Sequence, residues 1–321
     1  MGSGRNARAP RISDGLQGTG AGETCLTPSS WSRTVPRELV HRVSVAEVLL
    51  TDVRHCGRWT FCAAAVWPRS HPTFPRRHDG RHSPWMVVET VRQLGIYLPR
   101  RHFGAPATDR FLIDDVSYRI DPAREPRAPH GGTEIACRVS VTHLVEAPES
   151  GRTARMRLRA DFLTGREVFA RADGGARFLT AERYAAIRHA PRPGPPPPPH
   201  AAAGRPRPQP ALLGTWSQED ALVALHDGAL VVDPADPRHP FLFDHETDHV
   251  PGMALLEAAR QAIALRSGGR LVRPVAGRMT ASRFTEHAPP AVVEGTPYGR
   301  TAVFRFRQDG AVTARGVLRY Q

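Results

Sequence analysis

The sequence predicts an α+β protein built as two tandem copies of one unit, each a long central helix wrapped by an antiparallel β-sheet. Three observations predict it. Each half of the 321-residue chain sets one long apolar helical segment among short β-rich runs. The two helical segments, with the loops ahead of them, align without gaps. A proline tract divides the halves.

In chain order, residues 1–36 are rich in Gly, Ser, Arg and Pro without periodicity, and a disordered extension is expected there. The first domain is expected over 37–190. Residues 46–67 suggest two strands with Gly57 in the turn between them, and residues 84–98 suggest the helix. RFLIDDVSYRID, TEIACRVSVTHLVE, ARMRLRADFL and REVFARAD follow as strands. Residues 191–210, PRPGPPPPPHAAAGRPRPQP, form neither helix nor packed strand and read as a polyproline-like linker. The second domain, 211–321, gives ALVALHDGALVVD, a helix over 251–265, and then strands within VAGRMTASRFTEHA, GRTAVFRFRQ and AVTARGVLRYQ.

Residues 70–93 align with 238–261 in one register, pairing His71 with His239, Pro72 with Pro240, Glu89 with Glu257, Arg92 with Arg260 and Gln93 with Gln261. Every pair has the offset of 168 residues that separates Glu89 from Glu257. Five such identities in a fixed register indicate an internal duplication.

The formal charge is +13, but all 44 basic residues are arginine, as in the coding bias of a GC-rich genome. High charge therefore carries little weight toward nucleic acid, and no helix-turn-helix signal supports it. Four cysteines without a C-x-x-C pair fit a reducing interior. The N-terminus lacks the apolar core of a signal peptide, and no apolar run reaches the ~18 residues of a membrane helix. A soluble, cytoplasmic chain is expected.

His245-Glu246-Thr247-Asp248-His249 satisfies H-E-x-x-H, which grips zinc only when both histidines share a helical face. Pro240 precedes the motif and Pro251-Gly252 follows it, so a helix is expected to start at Pro251 and leave the histidines in a loop. No third ligand is evident downstream, and neither a metal nor a cofactor is expected.

Both helices are apolar on nearly every side and should be buried. Into the middle of each the sequence places Glu, then Arg three and Gln four residues on, a spacing that clusters Glu89, Arg92 and Gln93, and likewise Glu257, Arg260 and Gln261. On an exposed helix this would be an ordinary intrahelical ion pair. In a buried one the charges are costly to desolvate, and a pocket lined by this face is the preferred reading. The N–H groups near Gly252 open a helix and suit a thioester oxyanion. The first copy has Ser83-Pro84-Trp85 instead, so the second is the better catalytic candidate.

The run DHVPGMALLEAARQ resembles the helix start of hot-dog acyl-carrier-protein dehydratases, with an acidic residue six positions after the proline. With HP-x-F…E-x-x-R-Q in the first copy, the chain is similar still more closely to the A-factor biosynthesis (AfsA-type) family of γ-butyrolactone synthases. That resemblance covers both domains and implies two tandem hot-dog domains. It implies an acyltransferase that joins a 3-oxoacyl chain, carried on acyl carrier protein, to dihydroxyacetone phosphate, with cyclisation toward a butenolide. Glu89 matches the first-repeat Glu of the family, while Glu257 and Arg260 match its second-repeat pair.

On this basis the catalytic set is expected to be Glu257, Arg260 and Glu89, with Glu257 as general base and Gly252 at the oxyanion. His245, His249, Arg92, Gln93 and Gln261 are expected to support them. No nucleic acid or membrane partner is expected, the two copies should pair within the chain, and a homo-oligomer stays open. Two other classes also stay open: a 3-hydroxyacyl-ACP dehydratase or acyl thioesterase, which needs no dihydroxyacetone phosphate, and a non-catalytic acyl- or butyrolactone-binding regulator.

Overall fold

The computed structural model describes residues 30–74, 79–128, 130–148, 150–188 and 204–321. The expected extension up to residue 29 and the proline tract from 191 to 203 lie outside the described residues. From residue 30 the chain is already engaged: Val35 is buried and its N–H donates to the Leu50 carbonyl at 2.9 Å.

The first copy comprises β1 (Leu50–Gly57), β2 (Thr60–Trp67), α1 (Trp85–His102), β3 (Arg110–Ile120), β4 (Thr133–Glu146), β5 (Thr153–Thr164) and β6 (Glu167–Leu179). Two short helices follow, α2 (Ala181–Arg188) and α3 (Pro210–Leu213). The second copy comprises β7 (Val223–His226), β8 (Ala229–Val232), α4 (Gly252–Arg266), β9 (Pro274–Ala281), β10 (Val292–Tyr298), β11 (Thr301–Gln308) and β12 (Ala311–Tyr320).

All twelve strands form one antiparallel sheet in the order β1-β2-β4-β5-β6-β3-β9-β12-β11-β10-β8-β7. Outward from the central seam the two halves run β3-β6-β5-β4-β2-β1 and β9-β12-β11-β10-β8-β7, the same topology twice. The duplication visible in the helices thus extends to the whole unit, and the expected α+β pair of hot-dog domains is joined edge to edge. Pairing at the seam sets Asp115 against Thr280, Val116 against Met279 and Tyr118 against Gly277. Gly277 is required there, because a Cβ would lie 2.7 Å from Leu318 and 2.8 Å from the Tyr118 ring. The seam protects the edge strand that either copy alone would expose.

The alternation of buried and exposed residues along β4 and β5 puts one face of the sheet on the helices. Trp67, Trp85, Phe162 and Phe169 fill the first copy, and Phe241, Ile263, Phe304 and Phe306 the second. Every residue of α4 from Met253 to Ala264 is buried, as expected of a helix apolar on all sides.

The differences from expectation have physical causes. β10 contains Gly295 and Pro297, which read as strand breakers. Yet Gly295 is where α4 presses on the sheet, and a Cβ there would sit 3.2 Å from Ile263. β6 continues through Gly174-Gly175 because the first of these lies against the β3 backbone and the second against Arg157. Cys56 is disulfide-bonded, whereas reduced thiols were expected; Cys62 and Cys137 form no disulfide. Among the described residues no helix is long and apolar enough to cross a membrane.

Candidate active site

Each duplicated Gln is a strut between its helix and its own sheet edge. Gln93 accepts from the Leu49 and Leu50 N–H groups and donates to the Glu47 carbonyl and to Glu89. Gln261 repeats this, accepting from Leu222 N–H and donating to the Asp220 carbonyl and to Glu257. The duplicated histidines finish the strut. His71 bonds Glu47 at 3.0 Å and His239 bonds Asp220 at 3.1 Å, while each Nδ1 accepts two loop N–H groups. These residues recur because they hold a fold together.

The two glutamates share this frame but differ in what covers them. Glu89, fully buried, receives Arg92 through two N–H groups at 2.8 Å and Arg42 at 2.8 and 3.0 Å. Burial pushes its carboxyl up, but Arg42 and Arg92 outweigh burial and hold it at about 2. It is a permanent anion, too weak a base to take a proton at neutral pH. Glu257, 4% exposed, receives Arg260 at 2.5 and 2.8 Å, Gln261 at 2.9 Å and the Trp85 indole N–H at 2.5 Å. Arg260 donates through Nη1 to the Leu213 and Val272 carbonyls.

Between the copies lies a cavity of about 590 Å³, lined among others by Arg42, Arg92, Asp244, His245, His249 and Gly252. A narrow apolar recess adjoins it, bounded by Val88, Val91, Gly95, Met156, Leu158 and Leu256, and shares Arg92, Gly252 and Met253 with it. Neither Glu257 nor Arg260 lines either space. Gly252 and Glu257, expected to act on one thioester, thus share no lining in either space. Five residues of helix turn them roughly 140° apart, so Gly252 opens onto the cavity while Glu257 faces Trp85. The cavity instead joins the second-copy helix start to the first-copy Arg92, which Glu89 holds from behind.

Residues 245–249 form no helix, so the two histidines do not share a helical face. Among the described residues no cluster of three or more His, Cys, Asp or Glu side chains suits a metal ion. His245 bonds Asp244 through Nδ1 at 2.7 Å, and His249 bonds Asp248 likewise. The first pair is the better anchored: the Asp244 side chain is 7% exposed against 48% for Asp248. Burial raises the Asp244 carboxyl, but His245, Arg42 and the Val43 N–H lower it to about 2. A carboxylate so ionised only accepts, which puts the imidazole proton on Nδ1 and leaves Nε2 as a base.

At the start of α4, Leu255 donates to the Pro251 carbonyl. Among the described residues, the Gly252, Met253 and Ala254 N–H groups donate to no protein acceptor. They form a ready anion-stabilising turn. Sequence reasoning missed Arg42 and Asp244. Arg42 lies in a short segment ahead of β1, with no counterpart in the duplicated register, yet it bridges Glu89, the Phe241 carbonyl and Asp244.

The A-factor biosynthesis hotdog domain model matches residues 27–180 and 190–270. The 2-oxo-3-(phosphooxy)propyl 3-oxoalkanoate synthase of Streptomyces virginiae is 34% identical over 82% of this chain and 87% of its own. That of Streptomyces griseus is 31% identical over 88% of this chain and 93% of its own. Among solved structures, the 12:0-ACP thioesterase from Umbellularia californica superposes with a TM-score of 0.48 at 11% identity, covering 84% of this chain and 99% of that one.

Proposed function

The chain belongs to the A-factor biosynthesis hot-dog family, and we propose that it transfers a 3-oxoacyl group from acyl carrier protein to the hydroxyl of dihydroxyacetone phosphate. The product is the 2-oxo-3-(phosphooxy)propyl ester carried in the name of its relatives. Its CH2 between two carbonyls is one intramolecular condensation from a butenolide, which places the reaction in γ-butyrolactone-type signal biosynthesis. A cytoplasmic setting goes with the carrier protein, and pairing within the chain makes a homo-oligomer unnecessary for the site.

The observation that carries this reading is the shared cavity, where a helix start with free N–H groups, an Asp-anchored His and Arg92 meet an apolar recess. In the proposed reaction the acyl chain enters the recess, where the unbranched Met156 and Met279 give way to it. The thioester carbonyl lies at the Gly252 and Met253 N–H groups. His245 Nε2 takes the proton of the acceptor hydroxyl as its oxygen attacks the thioester carbon. The oxyanion is held by the helix start. Collapse breaks the C–S bond, and the thiolate leaves with the proton from His245. Arg92, fixed by Glu89, binds the phosphate, which makes Glu89 a positioning residue.

Incubation with 3-oxoacyl-ACP should give the phosphorylated ester by mass spectrometry only when dihydroxyacetone phosphate is present. Equal release of free acid without it would point to a thioesterase. Replacing Arg92 with Met should raise KM for dihydroxyacetone phosphate at least ~10-fold, one charge-assisted contact being worth about 1.5–3 kcal/mol. Turnover with unphosphorylated dihydroxyacetone should change little; an equal loss on both acceptors would remove the phosphate role.

A further inference from the structure

We propose that each chain carries one acyl site, and that its pseudo-symmetric twin at the start of α1 is sealed by Trp85, whose indole takes a ligand's place on Glu257. The inference rests on reading the open cavity as the acyl-transfer site. The offset of 168 residues sets Trp85 against Met253 and Pro84 against Gly252. Met253 lines the open cavity. Trp85 is 2% exposed, its ring lies 5.9 Å from Tyr118, and its indole N–H donates to Glu257 at 2.5 Å.

The backbone is closed as well. Pro84, in the place of Gly252, has no N–H to offer. The Trp85 N–H goes to the Ser83 hydroxyl at 3.3 Å, and those of Met86 and Val87 go to the Ser83 and Pro84 carbonyls, each at 3.1 Å. A carbonyl oxygen would find no donor at this helix start, whereas three wait at α4.

Two polar groups remain beside the Glu257 and Arg260 pair. The Tyr118 and Tyr320 hydroxyls are buried without a hydrogen-bond partner among the described residues. Burial raises both phenols, and each feels the charges of Arg260 and Glu257. Buried hydroxyls are ordinarily satisfied, so this pair marks polar space that the indole fills by bulk without meeting its hydrogen bonds. The ion pair of Glu257 with Arg260 then acts as a strut that ties α4 to the first-copy Trp85.

The test is calorimetric titration of the whole chain with a 3-oxoacyl pantetheine whose thioester is replaced by an amide. One equivalent is expected for the wild type and none for Gly252→Val, whose Cβ makes only ordinary contacts, 3.7 Å from Ile113 and 3.8 Å from Met279. Trp85→Phe, which removes the N–H but keeps an aromatic ring, leaves Pro84 and the occupied N–H groups of this helix start in place, and should bind one equivalent and turn over as the wild type does. Two equivalents in the wild type, no binding at all, one equivalent surviving Gly252→Val, or a folded but inactive Trp85→Phe would each overturn the proposal. A wild type that binds one equivalent through Gly252 yet makes no ester would defeat the acyl-transfer reading and leave the sealed twin standing.

Discussion

At the residue scale, chemistry is divided between side chains that look alike in sequence. Glu89 and Glu257 occupy one register position, yet one fixes two arginines at a cavity and the other is capped by an indole. The helical spacing made each Glu-Arg-Gln cluster legible. It did not reveal the direction each cluster faces, because that depends on Arg42 and Trp85, which approach from outside the helix concerned. His245 was legible as a loop residue in a supporting role; its pairing with Asp244 needs a loop conformation that no periodicity encodes. Replacing His245 with Ala should lower turnover by roughly 10² to 10⁴, the usual contribution of a general base. The melting temperature should barely move, since this side chain is one-third exposed. Wild-type turnover in that variant would remove His245 from the mechanism.

His82 supplies a pH prediction of its own. It is 1% exposed, bonds Thr133 at 2.7 Å, and is held down at about 4, first by burial and then by Arg273. Its folded value lies below the unfolded one near 6.5, so the unfolded chain binds the proton more readily. Its contribution to stability is full above about pH 6.5 and is lost as pH falls toward 4, by up to about 3 kcal/mol. Urea unfolding at several pH values should show this decline in the wild type and a shallower one in His82→Gln. Parallel curves for the two would show that His82 titrates as it does in the unfolded chain.

At the element scale, the two helices were the most legible part of the sequence, since burial on all sides and a Pro-Gly start both leave patterns. Strands with strict alternation were legible too, as β4 illustrates. β10 was not, because its Gly and Pro answer to the helix lying across it, a tertiary reason that overrides local preference. Gly95 belongs to the same kind. A glycine in a helix interior costs about 1 kcal/mol relative to Ala, yet here it borders the apolar recess, with Leu158 3.8 Å from where a Cβ would stand. Gly95→Leu should fold at least as well and should favour short acyl chains, cutting turnover of long-chain substrates ~10-fold or more relative to short ones. An unchanged chain-length profile would place the acyl group elsewhere.

At the scale of the whole molecule, the duplication was readable from five identities, but the continuous twelve-stranded sheet was not. Strand pairing between copies leaves no signature in either copy alone, and the seam between β3 and β9 is what brings the first-copy Arg92 to the second-copy Gly252. The central claim is that acyl transfer occurs in that shared cavity and not at Glu257. A crystal structure with a bound 3-oxoacyl pantetheine amide tests it most directly. The account predicts the carbonyl oxygen at the Gly252 and Met253 N–H groups and the acyl chain running along α1 toward Gly95, with Trp85 unmoved on Glu257. A ligand that displaces Trp85 and contacts Glu257 would contradict it.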